Sequence, residues 1–236
     1  MAIEKGTYIK LNYTGAVNGV AFDTTDAETA KKANIFREQT AYGPAIVKVG
    51  AGHVLPGVDD DLAGKEIGKE YKLTLPPEKA FGPHKSEEVK AVDKKAFQNK
   101  PEVLDEVTLD GRKGMVVNKI GNRYLVDFNH PLAGQTVEYT YTIEGVVEDG
   151  CEKLAGTIKL FTGREMKVAA TKTAVTIEVP AMIAMYNQNW FMTQYMINQE
   201  AFEIFPDVKT VKFCESFPRP KAQEEAQAAP AEEKTE

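Results

Sequence analysis

Short alternating segments closed off by turn dipeptides constrain this chain more than any other feature. Thr7-Tyr8-Ile9-Lys10-Leu11-Asn12-Tyr13 alternates polar and apolar residues and stops at Thr14-Gly15. Residues 20–23 read as a second strand after Asn18-Gly19, a pair that suits a tight hairpin because both positions tolerate positive φ. Further strands are expected at 45–49, 70–75, 107–109, 114–117, 124–126 and 136–147, with Asp110-Gly111 and Gly121-Asn122 as turns between the shorter ones. Helices are fewer. One is expected at 27–36, opened by a Thr25/Glu28 capping box. A second runs over 54–62 to Gly64, with Asp59, Asp60 and Asp61 on its wet side, and Asp93 caps a helical turn to Phe97. Beyond Gly150 the expected order is β-β-β-α-β: strands at 158–161, 166–169 and 174–179, a helix from Pro180 through Phe202, and a strand at 208–214. Residues 221–236, mostly Ala, Glu, Gln and Pro, read as a solvated tail. The pattern is that of an α+β, multidomain chain.

Composition removes several functions. The chain has 236 residues and a formal charge of −6, which argues against a general nucleic-acid binder. Its two cysteines, Cys151 and Cys214, provide no disulfide framework and suit a reducing compartment. There is no apolar run of the roughly 20 residues a membrane helix needs, and Met1-Ala-Ile-Glu-Lys-Gly is no signal sequence. The expectation is a cytoplasmic protein with no membrane partner. His53, His84 and His130 are scattered, and Gly-x-Ser-x-Gly, Cys-x-x-Cys and His-x-x-x-His are all missing from the sequence. No triad, metal site or cofactor is expected. Gly50-Ala51-Gly52 lacks the rest of a phosphate loop and reads as a strand-to-helix turn.

One stretch carries more information. Val49-Gly50-Ala51-Gly52-His53-Val54-Leu55-Pro56-Gly57-Val58-Asp59 is followed by Leu62, Gly64, Ile67-Gly68 and Pro77-Glu78-Lys79-Ala80-Phe81-Gly82. Together with Tyr13, Phe22-Asp23 and Tyr139, it closely resembles the FKBP-type peptidyl-prolyl cis/trans isomerases. The resemblance covers 1–83 and 129–147. It implies an FKBP-like antiparallel sheet with a short helix, and a proline pocket lined by Tyr13, Phe22, Val54, Leu55, Val58, Phe81 and Tyr139. Tyr13, Asp23, Phe81 and Tyr139 would be the catalytic side chains, and Phe22, Val54, Leu55 and Val58 would bind substrate. Asp23 would be the one charged group at the wall, and the Leu55 N–H would meet a substrate carbonyl. Phe81 stands where many members have tyrosine, and Val58 where eukaryotic members often have tryptophan.

Val126-Asp127-Phe128-Asn129-His130-Pro131-Leu132-Ala133-Gly134 resembles the return from the insert-in-flap domain of SlyD-like FKBPs. Residues 84–128 would then be a small β-rich chaperone domain, with Met115, Val117, Tyr124 and Val126 as candidates for its client-binding face or its own core. The C-terminal unit, 150–218, resembles the extra α+β domain of long-chain archaeal members, followed by a disordered acidic tail over 219–236. The core would span 1–83 plus 129–149. The implied partners are unfolded or nascent polypeptides with X-Pro bonds. Met182, Met185, Met192 and Met196, with Tyr186, Trp190, Phe191 and Tyr195, mark the C-terminal helix as a candidate homodimer interface. The alternative is a holdase chaperone with a weak or vestigial pocket.

Overall fold

The computed structural model describes residues 2–38, 40–181, 183, 187 and 189–217. Strand β1, Tyr8–Val17, organises the first of two units, which spans Met1–Glu165. Its odd positions turn inward: Ile9 and Leu11 are fully buried, and Tyr13 and Gly15 continue the same face. Period-two alternation thus turns every second residue to the core, while the opposite face is half-buried, with Tyr8 at 6% exposure. β1 pairs antiparallel with β2 (Val20–Thr24) and β3 (Ala45–Lys48) along one edge, and with β9 (Val137–Val146) along the other. β4 (Glu70–Leu75) completes this five-stranded sheet beside β9. Helix α2 (Pro56–Leu62) buries Val58 and Leu62 against the dry face with Val47, Leu75, Val137, Tyr139, Tyr141 and Ile143. Pro at its first position is pre-set for a helix start.

Two local expectations change. β1 does not stop at Gly15. A Cβ there would lie 2.7 Å from Phe22 Cζ and 2.8 Å from Tyr139 Cε2, so the glycine marks a close approach inside the strand rather than its end. Helix α1 covers only Ala27–Lys32, and its cap is Asp26, which accepts from the Thr29 N–H at 2.7 Å. Thr25, the expected cap, instead accepts from the Tyr13 N–H at 3.0 Å and ties β2 to β1.

The insertion forms a separate four-stranded sheet in the order β5-β8-β7-β6: β5 Val89–Asp93, β6 Glu106–Leu109, β7 Arg112–Ile120 and β8 Arg123–Asp127. β5 was not expected, because Lys90 and Asp93 break its apolar pattern. Tyr124 and Val126 join Val116 in the core of this sheet. Met115 and Val117 face outward.

The largest difference lies beyond Gly150. Residues 158–161 are not a strand. They end helix α3, Gly150–Thr162, capped by Asp149, which accepts from the Glu152 N–H at 2.8 Å, and closed by Gly163 in the left-handed region. Leu154, Thr157 and Ile158 are fully buried, a helical spacing that the short run Ile158-Lys159-Leu160-Phe161 hides. α3 packs on β3 of the first unit through Gly156, where a Cβ would come within 2.3 Å of Ile46 Cβ. The compact units divide between Glu165 and Met166.

The second unit pairs β10 (Lys167–Ala170) antiparallel with β11 (Ala174–Val179), and β11 parallel with β12 (Thr210–Glu215). The parallel pair is joined by a crossover containing helix α4, Trp190–Ile204. Ile197 and Ala201 are fully buried, while Phe191, Met192, Tyr195, Met196 and Phe202 are exposed. The expected helix positions Met182, Met185 and Tyr186, and the tail, lie outside the described residues.

Candidate active site

The seven side chains expected to line a pocket all belong to one apolar cluster. Val58 and Tyr139 lie in the buried core of the first unit, and Tyr13, Phe22, Val54, Leu55 and Phe81 pack against it. β1 and β9 supply Tyr13 and Tyr139, whose rings stack with centroids 5.2 Å apart. Phe22 from β2 meets Phe81 edge to face at 5.5 Å. α2 and the residues before it bring up Val54, Leu55 and Val58.

Asp23, exposed at the rim, accepts a hydrogen bond from the Tyr13 hydroxyl at 3.1 Å. Its position is set by the next two residues: Thr24 and Thr14 share a 2.7 Å hydroxyl contact, and Thr25 bonds to Tyr13 and Asn12. Burial, and then the Asp23 carboxylate, push the Tyr13 phenol well above its ordinary range. Burial, and then Tyr13 and Asp23, do the same for Tyr139. Both phenols stay neutral, so Asp23 is the one formal charge among these eight residues.

Asp59 is the clearest correction at the site. It does not sit on a wet helix face but is only 9% exposed, accepting from the Gly50 and Gly52 N–H groups at 2.8 and 2.9 Å. Both glycines have positive φ, so this carboxylate fixes the turn that leads into α2. Asp61 accepts from the Tyr141 hydroxyl at 2.6 Å and pairs with Lys65. Gly57 admits the close approach of α2 to Leu75 and Lys79. The Leu55 carbonyl accepts from Val58 and Asp59, and its own N–H has no partner among the described residues.

The insertion joins the core beside Phe81. His130 stacks on the Phe81 ring at 4.3 Å, and the Gly134 N–H donates to the Gly82 carbonyl at 2.9 Å. One step outward, Asp127 accepts from His84 at 2.8 Å and from Asn129, while Asn129 also bonds to both backbone groups of Lys85. Burial alone would raise the Asp127 carboxyl, but these hydrogen bonds outweigh it and hold the group below the usual carboxylate range.

Comparison with known proteins gives the family. The family model described as FKBP-type peptidyl-prolyl cis-trans isomerase matches residues 1–104. The chain is 32% identical over 106 residues to a probable FKBP-type 16 kDa peptidyl-prolyl cis-trans isomerase of Pseudomonas fluorescens, covering 42% of this chain and 71% of that protein. The chain belongs to the FKBP-type peptidyl-prolyl cis-trans isomerases. A short-type peptidyl-prolyl cis-trans isomerase of Methanocaldococcus jannaschii is 29% identical over 147 residues, spanning 61% of this chain and 94% of that protein. The FKBP-type isomerase SlyD of Vibrio cholerae is 29% identical over 153 residues, 62% of this chain and 69% of its own length. A second model, described as FKBP26_C-terminal, matches residues 151–218.

Three contributors to this FKBP site escaped the sequence reading. Gly15 gives the Phe22 and Tyr139 rings their space. Asp59 was hidden in a run of three aspartates. His130 belongs to the return motif, but nothing in that motif announces its stacking on Phe81.

Proposed function

We propose that this FKBP member isomerises X-Pro bonds in unfolded or nascent polypeptides and that the insertion captures those clients beside the pocket. Rotation about a peptide bond meets a barrier of about 18–20 kcal/mol, because resonance gives the C–N bond partial double character. X-Pro isomers exchange in tens to hundreds of seconds unaided, slowly enough to limit folding. No covalent bond must be broken, so a catalyst needs only to favour the twisted imide over the planar one. Water stabilises the charge-separated planar form, and a pocket of rings and aliphatics withholds that stabilisation. In this reading Tyr13, Phe22, Val54, Leu55, Val58, Phe81 and Tyr139 hold the prolyl ring. The Leu55 N–H receives a substrate carbonyl, and Asp23 offers a polar edge to the turning one. The observation that carries the reading is that those seven side chains share one apolar cluster, with the Asp23 carboxylate hydrogen-bonded to one of them, Tyr13.

Client capture is supported by exposed apolar side chains on the insertion: Leu104 at 74% exposure, Ile120 at 58%, and Val103, Val117 and Met115. Holding a segment near the pocket raises its effective concentration there. Leu104→Ser with Ile120→Ser tests this. Turnover of a short proline peptide stays unchanged, while acceleration of proline-limited refolding and suppression of aggregation both fall. Unchanged refolding acceleration would remove the insertion from the mechanism. We further propose that the protein is cytoplasmic and forms a homodimer through α4, whose exposed row includes Phe191 at 80% exposure with Tyr195 one turn on. Light scattering of Phe191→Ser/Tyr195→Ser would then give the monomer mass, and a monomeric intact chain would refute the assembly.

A further inference from the structure

Between β2 and the segment that follows α1 lies a cleft of about 480 Å³ that the proline pocket does not use. One wall is Phe22 and Asp23, the same two residues that rim the pocket. The facing wall is Ile35, Phe36, Arg37 and Tyr42. This wall is built, not loose. Phe36 and Tyr42 stack at 5.1 Å with their planes 9° apart, and Lys31 sits 5.0 Å from the Phe36 centroid. The Arg37 N–H donates to the Tyr42 hydroxyl at 3.0 Å, the Ile35 N–H returns to the Ala30 carbonyl, and the Gly43 N–H closes the loop onto Thr25.

We infer that this cleft is a second substrate subsite, which takes the client residues flanking the proline and selects for an acidic side chain. The inference rests on the isomerase reading of the pocket. Continuity carries it: an extended peptide advances at most about 3.3–3.6 Å per residue, so a chain with its proline against Phe22 brings residues two to four positions away over the cleft. Charge gives the selection. Arg37 is the one basic residue lining the cleft, and it forms no ion pair among the described residues. The one acidic lining residue, Asp23, already accepts from Tyr13. At Arg37 an incoming carboxylate meets a planar guanidinium suited to bidentate pairing, whereas an incoming ammonium meets like charge there and finds the opposite carboxylate, Asp23, already engaged by the Tyr13 hydroxyl.

The test uses the full chain and two kinds of peptide. One is a tetrapeptide confined to the proline and its neighbours; the others are longer, with Glu or Lys placed two to four residues from the proline on either side. The intact protein is expected to give about two- to fivefold higher kcat/KM for a Glu peptide than for its Lys counterpart, as exposed ion pairs produce. The preference shrinks as salt is raised. Arg37→Glu reverses it and Arg37→Ala abolishes it, with tetrapeptide turnover unchanged in both. Equal kcat/KM for Glu and Lys peptides, or a preference that survives Arg37→Glu, overturns the subsite while leaving the pocket intact. No turnover of any peptide, the tetrapeptide included, overturns the reading on which the subsite stands.

Discussion

Replacing Gly15 by alanine is the sharpest perturbation of the pocket that leaves every pocket side chain in place. The new methyl group would sit 2.7 Å from Phe22 Cζ and 2.8 Å from Tyr139 Cε2. Carbon atoms rest about 3.5–4.0 Å apart, so both rings must retreat by most of an ångström. Phe22 is held by Phe81, and Tyr139, at 4% exposure, by Tyr13. Gly15 does not have positive φ, so alanine adds no backbone strain and the effect is overpacking alone. Overpacking costs about 1–3 kcal/mol. If that cost falls on the geometry of the bound imide, kcat/KM drops about 5- to 150-fold, since about 1.4 kcal/mol is a factor of ten. Gly145→Ala is the matched control. It lies in the neighbouring strand, its φ is not positive, and a Cβ there meets nothing within 4 Å. That variant keeps full activity and gains about 0.4–1 kcal/mol through the unfolded chain. The assay is turnover of a short proline peptide with a thermal melt of each variant. Full kcat/KM in Gly15→Ala, at unchanged Tm, would refute the placement of Phe22 and Tyr139 at the reacting bond.

Other predictions address the supports of the site. Gly156→Ala drives a methyl into Ile46 and undocks α3 from β3, lowering stability by about 1–3 kcal/mol in denaturant melts; an unchanged midpoint would mean α3 is not part of the first unit. Asp59→Ala removes the acceptor of two glycine N–H groups at the entry to α2. It should cost about 1.5–3 kcal/mol and reduce peptide turnover, both read on one preparation. The hydrogen bonds of Asp127 with His84 and Asn129 have a pH signature. Its folded carboxyl titrates below its unfolded value, so its stabilisation is fully present above the unfolded value of about 3.9 and is lost as pH falls through the lower folded value. The protection of the Phe128 and Asn129 amides, taken relative to intrinsic exchange at each pH, should fall on acidification through that range, and Asp127→Asn should show low protection already at neutral pH.

Much of this was legible in the sequence because antiparallel strands write their dry face at every second residue. β4 was expected at the bounds it has, and the Asn18-Gly19 turn takes positive φ at both positions. The pocket aromatics were legible as a set through motif spacing, which brought together Tyr13 and Tyr139 across more than half the chain. What escaped depended on neighbours distant in sequence. Gly15 reads as a strand end until two rings from other strands are placed over it. Asp59 reads as solvated until the Gly50–Gly52 turn folds back on it. The run Ile158-Lys159-Leu160-Phe161 suits a strand locally, and only the caps at Asp149 and Gly163, with β3 beneath, make it a helix. The wall formed by Phe36 and Tyr42 needs a loop closure that no local pattern announces.

The most direct test of the central claim is turnover of a short proline peptide by the intact protein, Asp23→Ala and Tyr139→Ala under one set of conditions. The account predicts clear acceleration by the intact protein and its near loss in both variants, each still folded by circular dichroism. Equal turnover by all three would contradict it and place the chemistry elsewhere in the molecule.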